Sequence, residues 1–259
     1  SASLFHAAAS VASLNLCTDE LLFALAEPRQ IVSVTHLGQN PAETALWRQG
    51  RRYRRNDGSL LSVVGMRPSL VVTMGGGARD QQRIASRLGI RLIRLPYAQS
   101  LADVEANIRI LAKELGRPPA GGSLLRRIAK LRATALPASL DTIWLGGGGR
   151  TVSPAGLEAQ WMALAGLRQR PMRGDRVSLE TLVAEPPAIL LRSDYRAGQY
   201  SSAQRWLNHS VARRVRGGDG DHVGAVRGRV AARIAVVTRG GHDRRAPRHR
   251  VVDRRLHRR

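Results

Sequence analysis

The residues able to do chemistry are few, and their spacing matches no catalytic or metal-binding pattern. His6, His36 and His209 share no H-x-x-x-H interval, and His222, His242, His249 and His257 all lie in an Arg-rich C-terminal stretch. A metal site needs several imidazole, thiolate or carboxylate donors brought together at short spacing, so none is expected. No serine stands in the G-x-S-x-G turn that exposes a nucleophile, and no catalytic residue is assigned. Cys17 is the only cysteine, which excludes an internal disulfide and every Cys-rich zinc pattern. At the start of a helix its thiolate would gain from the helix dipole; the plainer reading is a small, half-buried residue near a cleft. The glycine runs 75–77 and 146–149 follow strands, where backbone N–H groups can approach a phosphate. Both lack G-x-G-x-x-G and Gly-Lys-Ser/Thr, so they read as flexible or ligand-lining loops.

The elements that must position these residues alternate. Strands are expected at 11–16, 30–35, 70–74 and 90–95. Helices are expected at 21–26, opened by Thr18 or Asp19 as the cap, at 59–66, at 80–88, and at 101–115 after Ser100. The last carries Leu101, Val104, Ile108, Leu111 and Leu115 on one stripe. A helix at 123–136 leads into a second round: a strand at 141–145, helices at 157–165 and 178–184, a strand at 188–192, and a helix from 202. Such alternation predicts an α/β fold, two Rossmann-like lobes with parallel sheets joined by a single long helix. The boundaries read 11–116 for the N-terminal lobe, 117–137 for the connecting helix and 138–211 for the C-terminal lobe. In a parallel sheet the ligand crevice lies beyond the C-terminal strand ends. Those ends carry residues 15–18, Thr35 and His36, Met74 and Gly75, 146–149, and Asp194 and Tyr195. Two such edges facing each other across a hinge would make a clamp.

Charge divides the chain differently. The formal net charge is +23, and residues 212–259 hold 15 Arg against 4 Asp, or +11, with seven Gly and no Lys, Glu, Asn, Gln, Ser or aromatic residue. Such a stretch reads as a disordered, self-repelling tail or as out-of-frame translation of a GC-rich gene. If it is genuine, its electrostatics suit a nucleic-acid-binding protein, the alternative function. No run approaches the ~20 apolar residues of a membrane helix. Residues 2–12 are small and apolar, like the end of a secretory signal, which is compatible with export.

Four stretches, 13–37 (SLNLCTDELLFALAEPRQIVSVTHL), 59–77 (SLLSVVGMRPSLVVTMGGG), 88–118 (LGIRLIRLPYAQSLADVEANIRILAKELGRP) and 177–198 (VSLETLVAEPPAILLRSDYRAG), occur in an order and spacing that resemble one family. It is that of the periplasmic substrate-binding proteins of ABC importers for cobalamin, haem and ferric siderophores. The resemblance implies a non-enzymatic, monomeric periplasmic protein. It would capture a corrinoid, haem or ferric siderophore in an inter-lobe cleft, without a resident cofactor, and deliver it to a membrane permease. It points to Thr18, His36, Met74 and Tyr195 as ligand-binding residues and to Asp80 and Glu180 as permease-docking acids. The chain departs from the family after Arg213, where no closing strand or helix is expected.

Overall fold

Val11, Ala12 and Ser13 are fully buried and form β1 (Val11–Ser13), the middle strand of the first sheet. Around it stand β2 (Ile31–Thr35), β3 (Arg54–Asn56), β4 (Leu70–Met74) and β5 (Arg91–Leu95), in the order β3-β2-β1-β4-β5. Every pairing is parallel. The computed structural model describes residues 9–75, 79–192 and 250–253, and the chain divides into two units between Lys130 and Leu131.

Alternation along the strands builds two cores on the first sheet. Val11, Val34, Leu70 and Val72 join Leu22 and Leu25 of α1 (Leu16–Leu25), Ile108 and Leu111 of α5 (Leu101–Glu114), and Ile128 of α6 (Pro118–Ala133). Their neighbours Ala12 and Val71 point the other way and pack with Leu60, with Val63 of α3 (Leu61–Val64), and with Ala85 of α4 (Arg79–Arg87). Burial on both faces explains the apolar run of β4, since a strand covered on both sides has no polar face to show. α5 starts where expected. Ser100 Oγ accepts from the Asp103 N–H at 3.1 Å, and the Asp103 carboxylate accepts from the Ser100 N–H at 3.0 Å, a reciprocal capping box.

Several elements depart from the sequence expectation. The cap of α1 is Asn15 rather than Thr18 or Asp19, because Asn15 is extended (φ −151°) and its side chain accepts from the Thr18 N–H. Between the expected strand ending at 35 and the expected helix starting at 59 no element was expected, yet α2 (Trp47–Gly50) and β3 stand there. α6 begins at Pro118, five residues before the expected 123. Proline suits a first helical turn, and Gly121 admits a close helix contact, since a Cβ there would lie 2.6 Å from Ala112 Cβ.

The second unit contains β6 (Leu140–Leu145), α7 (Leu157–Leu164), β7 (Leu167–Gln169), α8 (Leu179–Ala184), β8 (Ile189–Arg192) and β9 (Arg250–Asp253), with strand order β7-β6-β8-β9. β6 pairs in parallel with β7 and β8. β9 falls within residues 212–259, the stretch read as a disordered or out-of-frame tail. It runs antiparallel to β8, with Val251 opposite Leu191 and Val252 opposite Leu190, two β-branched residues suited to a pleated strand. This makes the second sheet mixed. The helix expected from 202 and the rest of the tail lie outside the described residues.

Candidate functional site

In the first sheet the chain builds β1, β2 and β3 toward one side, then crosses to place β4 and β5 on the other. The order reverses between β1 and β4, the point at which a crevice opens beyond the strand ends. Asn15 stands there. While its Oδ1 caps α1, its Nδ2 donates to Met74 O at 2.9 Å and to Thr73 Oγ1 at 3.3 Å, so one side chain ties the ends of β1 and β4 to the start of α1.

Beneath the edge lies a layer of buried polar side chains. Asp19 on α1 is fully buried, and its carboxylate accepts from the Thr35 N–H at 3.1 Å and from the Thr35 hydroxyl. Thr35 Oγ1 in turn accepts from the Gly38 N–H at 3.3 Å. A side chain at Gly38 would collide with the Asp19 carboxylate, so glycine is needed for this close approach. Burial raises the Asp19 carboxyl above its ordinary range, while hydrogen bonds from Ser13 and Thr35 oppose the rise. Asn56, at the end of β3, donates through Nδ2 to Ser13 O at 2.9 Å and to Ser33 Oγ at 2.8 Å. These bonds fix the backbone of the edge from below.

In the second unit the 146–149 glycine run follows β6 and is pinned by its own backbone. Gly146 N–H donates to Arg150 O at 2.7 Å, and Val177 N–H donates to Gly149 O at 2.8 Å. Arg176 Nη1 reaches Gly148 O at 3.3 Å, and Arg150 pairs with Asp175. The glycines form only a short 3-10 turn, and the next α-helix, α7, starts at Leu157, so they lack the α-helix dipole that a phosphate loop uses. Buried Gln169 does here what Asn15 does in the first unit: its Oε1 accepts from the Trp144 N–H at 3.0 Å and its Nε2 donates to Thr151 Oγ1 at 3.0 Å.

No protein-family profile matches the chain, and no curated protein matches it in sequence. Solved structures do match. A periplasmic solute-binding protein from Veillonella parvula superposes with a TM-score of 0.60 at 16% identity, over 79% of this chain and 70% of that one. A periplasmic haem-binding protein from Pseudomonas aeruginosa gives 0.57 at 18% identity, over 90% and 93%. The periplasmic vitamin B12-binding protein of Vibrio cholerae gives 0.53 at 16% identity, over 88% and 98%. The chain shares their fold. At these identities the likeness shows the fold alone.

Within that fold the expected site residues fall in different places. Thr18 is fully buried, its hydroxyl 2.7 Å from Ser13 Oγ and 2.9 Å from Asn15 Oδ1. It supports the edge from beneath. His36 is half-buried after β2, its backbone N–H donating to Asn56 O at 2.9 Å. Met74 is half-buried at the end of β4 and packs partly on the core. Tyr195 lies outside the described residues. Asp80 falls in the first turn of α4. Glu180 is exposed in the first turn of α8, its carboxyl held below the ordinary range by its own backbone N–H and by Ser178. Cys17 sits on the first turn of α1, but its thiol is pushed up by partial desolvation and by the Glu20 and Asp19 carboxylates. Any dipole benefit there is outweighed, and the residue is exposed rather than half-buried as the plainer reading had it.

The sequence reading missed Tyr97. It follows β5 directly, is 69% exposed, and its Cδ2 would lie 3.5 Å from a Cβ at Gly75, a residue with φ +84° just after β4. The rule that marked the other strand ends applies equally to the end of β5, where the sequence runs Leu95-Pro96-Tyr97. Among the described residues no group of three or more His, Cys, Asp and Glu side chains could hold a bare metal ion.

Proposed function

We propose that this chain is the substrate-binding component of an ABC importer, working outside the cytoplasmic membrane and handing a metal chelate or corrinoid to its permease. The reading rests on one observation. At the strand-order reversal of the first sheet, the polar groups below are committed to the backbone, while His36, Met74 and Tyr97 remain at the strand ends with their functional groups outside that network. An imidazole, a thioether and an aromatic face suit a bulky, largely apolar ligand that carries its own metal, such as cobalamin, haem or a ferric siderophore. Structural neighbours that bind haem and vitamin B12 support that ligand class. Binding without chemistry fits a site with no nucleophile and base within reach of each other among these residues. Asp80 and Glu180, each in the first turn of a helix, would present acids to a permease, giving orientation more than affinity.

The full chain is titrated with haem, cobalamin and a ferric hydroxamate while ligand absorbance and Trp fluorescence are recorded. Saturable one-to-one binding of one of them is the expected result. A folded protein that binds none of the three refutes the proposed ligand class.

A further inference from the structure

Five of the eight residues 48–55 are arginine, and no acid occurs between Glu43 and Asp57. Arg48, Arg51, Arg52, Arg54 and Arg55 are all exposed. Arg54 and Arg55 lie on β3, the outermost strand of the first sheet among the described residues, and the other three just precede it. Arg54 and Arg55 alternate across the pleat, so long side chains reach past the edge from both faces. Among the described residues no carboxylate pairs with Arg51, Arg52, Arg54 or Arg55.

The group is partly organised. The guanidiniums of Arg48 and Arg51 stand 4.3 and 4.5 Å from the centre of the Trp47 ring, and Arg51 Nε donates to Gln39 O at 3.4 Å. Gln39 Nε2 returns to Tyr53 O at 2.9 Å, tying the segment to the turn after β2. Charges on an edge strand deter edge-to-edge pairing, which accounts for Arg54 and Arg55 but not for Arg51 and Arg52 before the strand.

We propose that this arginine-lined edge docks the protein on an anionic lipid bilayer. The aromatic residues favour a lipid surface over a nucleic acid. Single-stranded nucleic acid is held by open rings on which bases stack, but Trp47 is covered by guanidiniums and Tyr53 stacks on Phe23 at 6.0 Å. A half-buried tryptophan beside cations is the pairing found where headgroups meet apolar chains. Each arginine at an anionic surface strengthens binding on the order of fivefold.

The test is sedimentation of the full chain with vesicles of phosphatidylcholine alone or mixed with phosphatidylglycerol. Because the C-terminal arginines would also attract vesicles, R51Q/R52Q/R54Q/R55Q is compared with the charge-matched R227Q/R229Q/R244Q/R245Q. The edge variant is expected to lose at least roughly tenfold more affinity for the anionic vesicles than the control. R51K/R52K/R54K/R55K should retain binding, which separates lost charge from lost fold. Equal losses in the two Gln variants, or equal binding to neutral and anionic vesicles, would overturn the proposal. Edge-dependent binding to duplex DNA without edge-dependent vesicle binding would also overturn it.

Discussion

Asn15→Ala tests whether one side chain locks the strand-order reversal of the first sheet. Removing the cap of α1 costs about 1 kcal/mol. The donations from Nδ2 to Met74 O and Thr73 Oγ1 contribute about 0.5 to 1.5 kcal/mol each, less for the longer bond, so the total is about 2 kcal/mol. Asn15→Ser keeps an oxygen for the Thr18 N–H but cannot reach β4, so it should recover about half. Hydrogen exchange by mass spectrometry resolves the two units. In Asn15→Ala, exchange in peptides from 11–25 and 70–75 should accelerate roughly 30-fold, while peptides from 140–192 stay unchanged. Asn15→Ser should accelerate the same peptides roughly fivefold. An acceleration below about threefold in Asn15→Ala, or identical behaviour of the two variants, would refute the lock.

Other consequences are narrower. The raised Asp19 carboxyl means the folded chain holds that proton more tightly than the unfolded chain. Its contribution is therefore fully present below the ordinary carboxylate pKa and is lost as pH rises through the raised folded value. The urea midpoint of Asp19→Asn should accordingly fall less than wild type across that window. Gly38→Ala drives a methyl into the Asp19 carboxylate and should cost about 1 to 3 kcal/mol. Gly65→Ala, helical in φ with open space around it, should be neutral or stabilising by up to about 1 kcal/mol; similar melting temperatures for the two variants would contradict the placement of Asp19. Tyr97→Ala should weaken capture of whichever chelate binds by at least roughly tenfold with no shift in melting temperature, since the side chain is mostly exposed.

What could be read in the sequence was what local chemistry controls. Ser100 and Ser178 cap helices in place, and β4 occupies the expected 70–74, because side chain to backbone bonds and apolar runs are properties of short segments. The misses needed distant partners. β3 and β7 are three-residue strands that exist only through pairing with β2 and β6. The first turns of α6, before the expected start at 123, include Gly121, whose close contact with Ala112 lies on another helix. Thr18 was placed at the correct strand end, but its burial depends on Ser13 and on Val72 of β4, which no local pattern reports. Tyr97 was legible by the rule already in use.

The edge of the first sheet has two storeys. Asn15, Asp19, Thr35 and Asn56 hold backbone, and changing any of them disturbs the fold. The Tyr97 side chain is mostly exposed, so it can be exchanged at little cost in stability. If the proposed function holds, a lineage built this way could drift from one cargo to another through neutral intermediates, since altered taste would never have to pass through a misfolded ancestor.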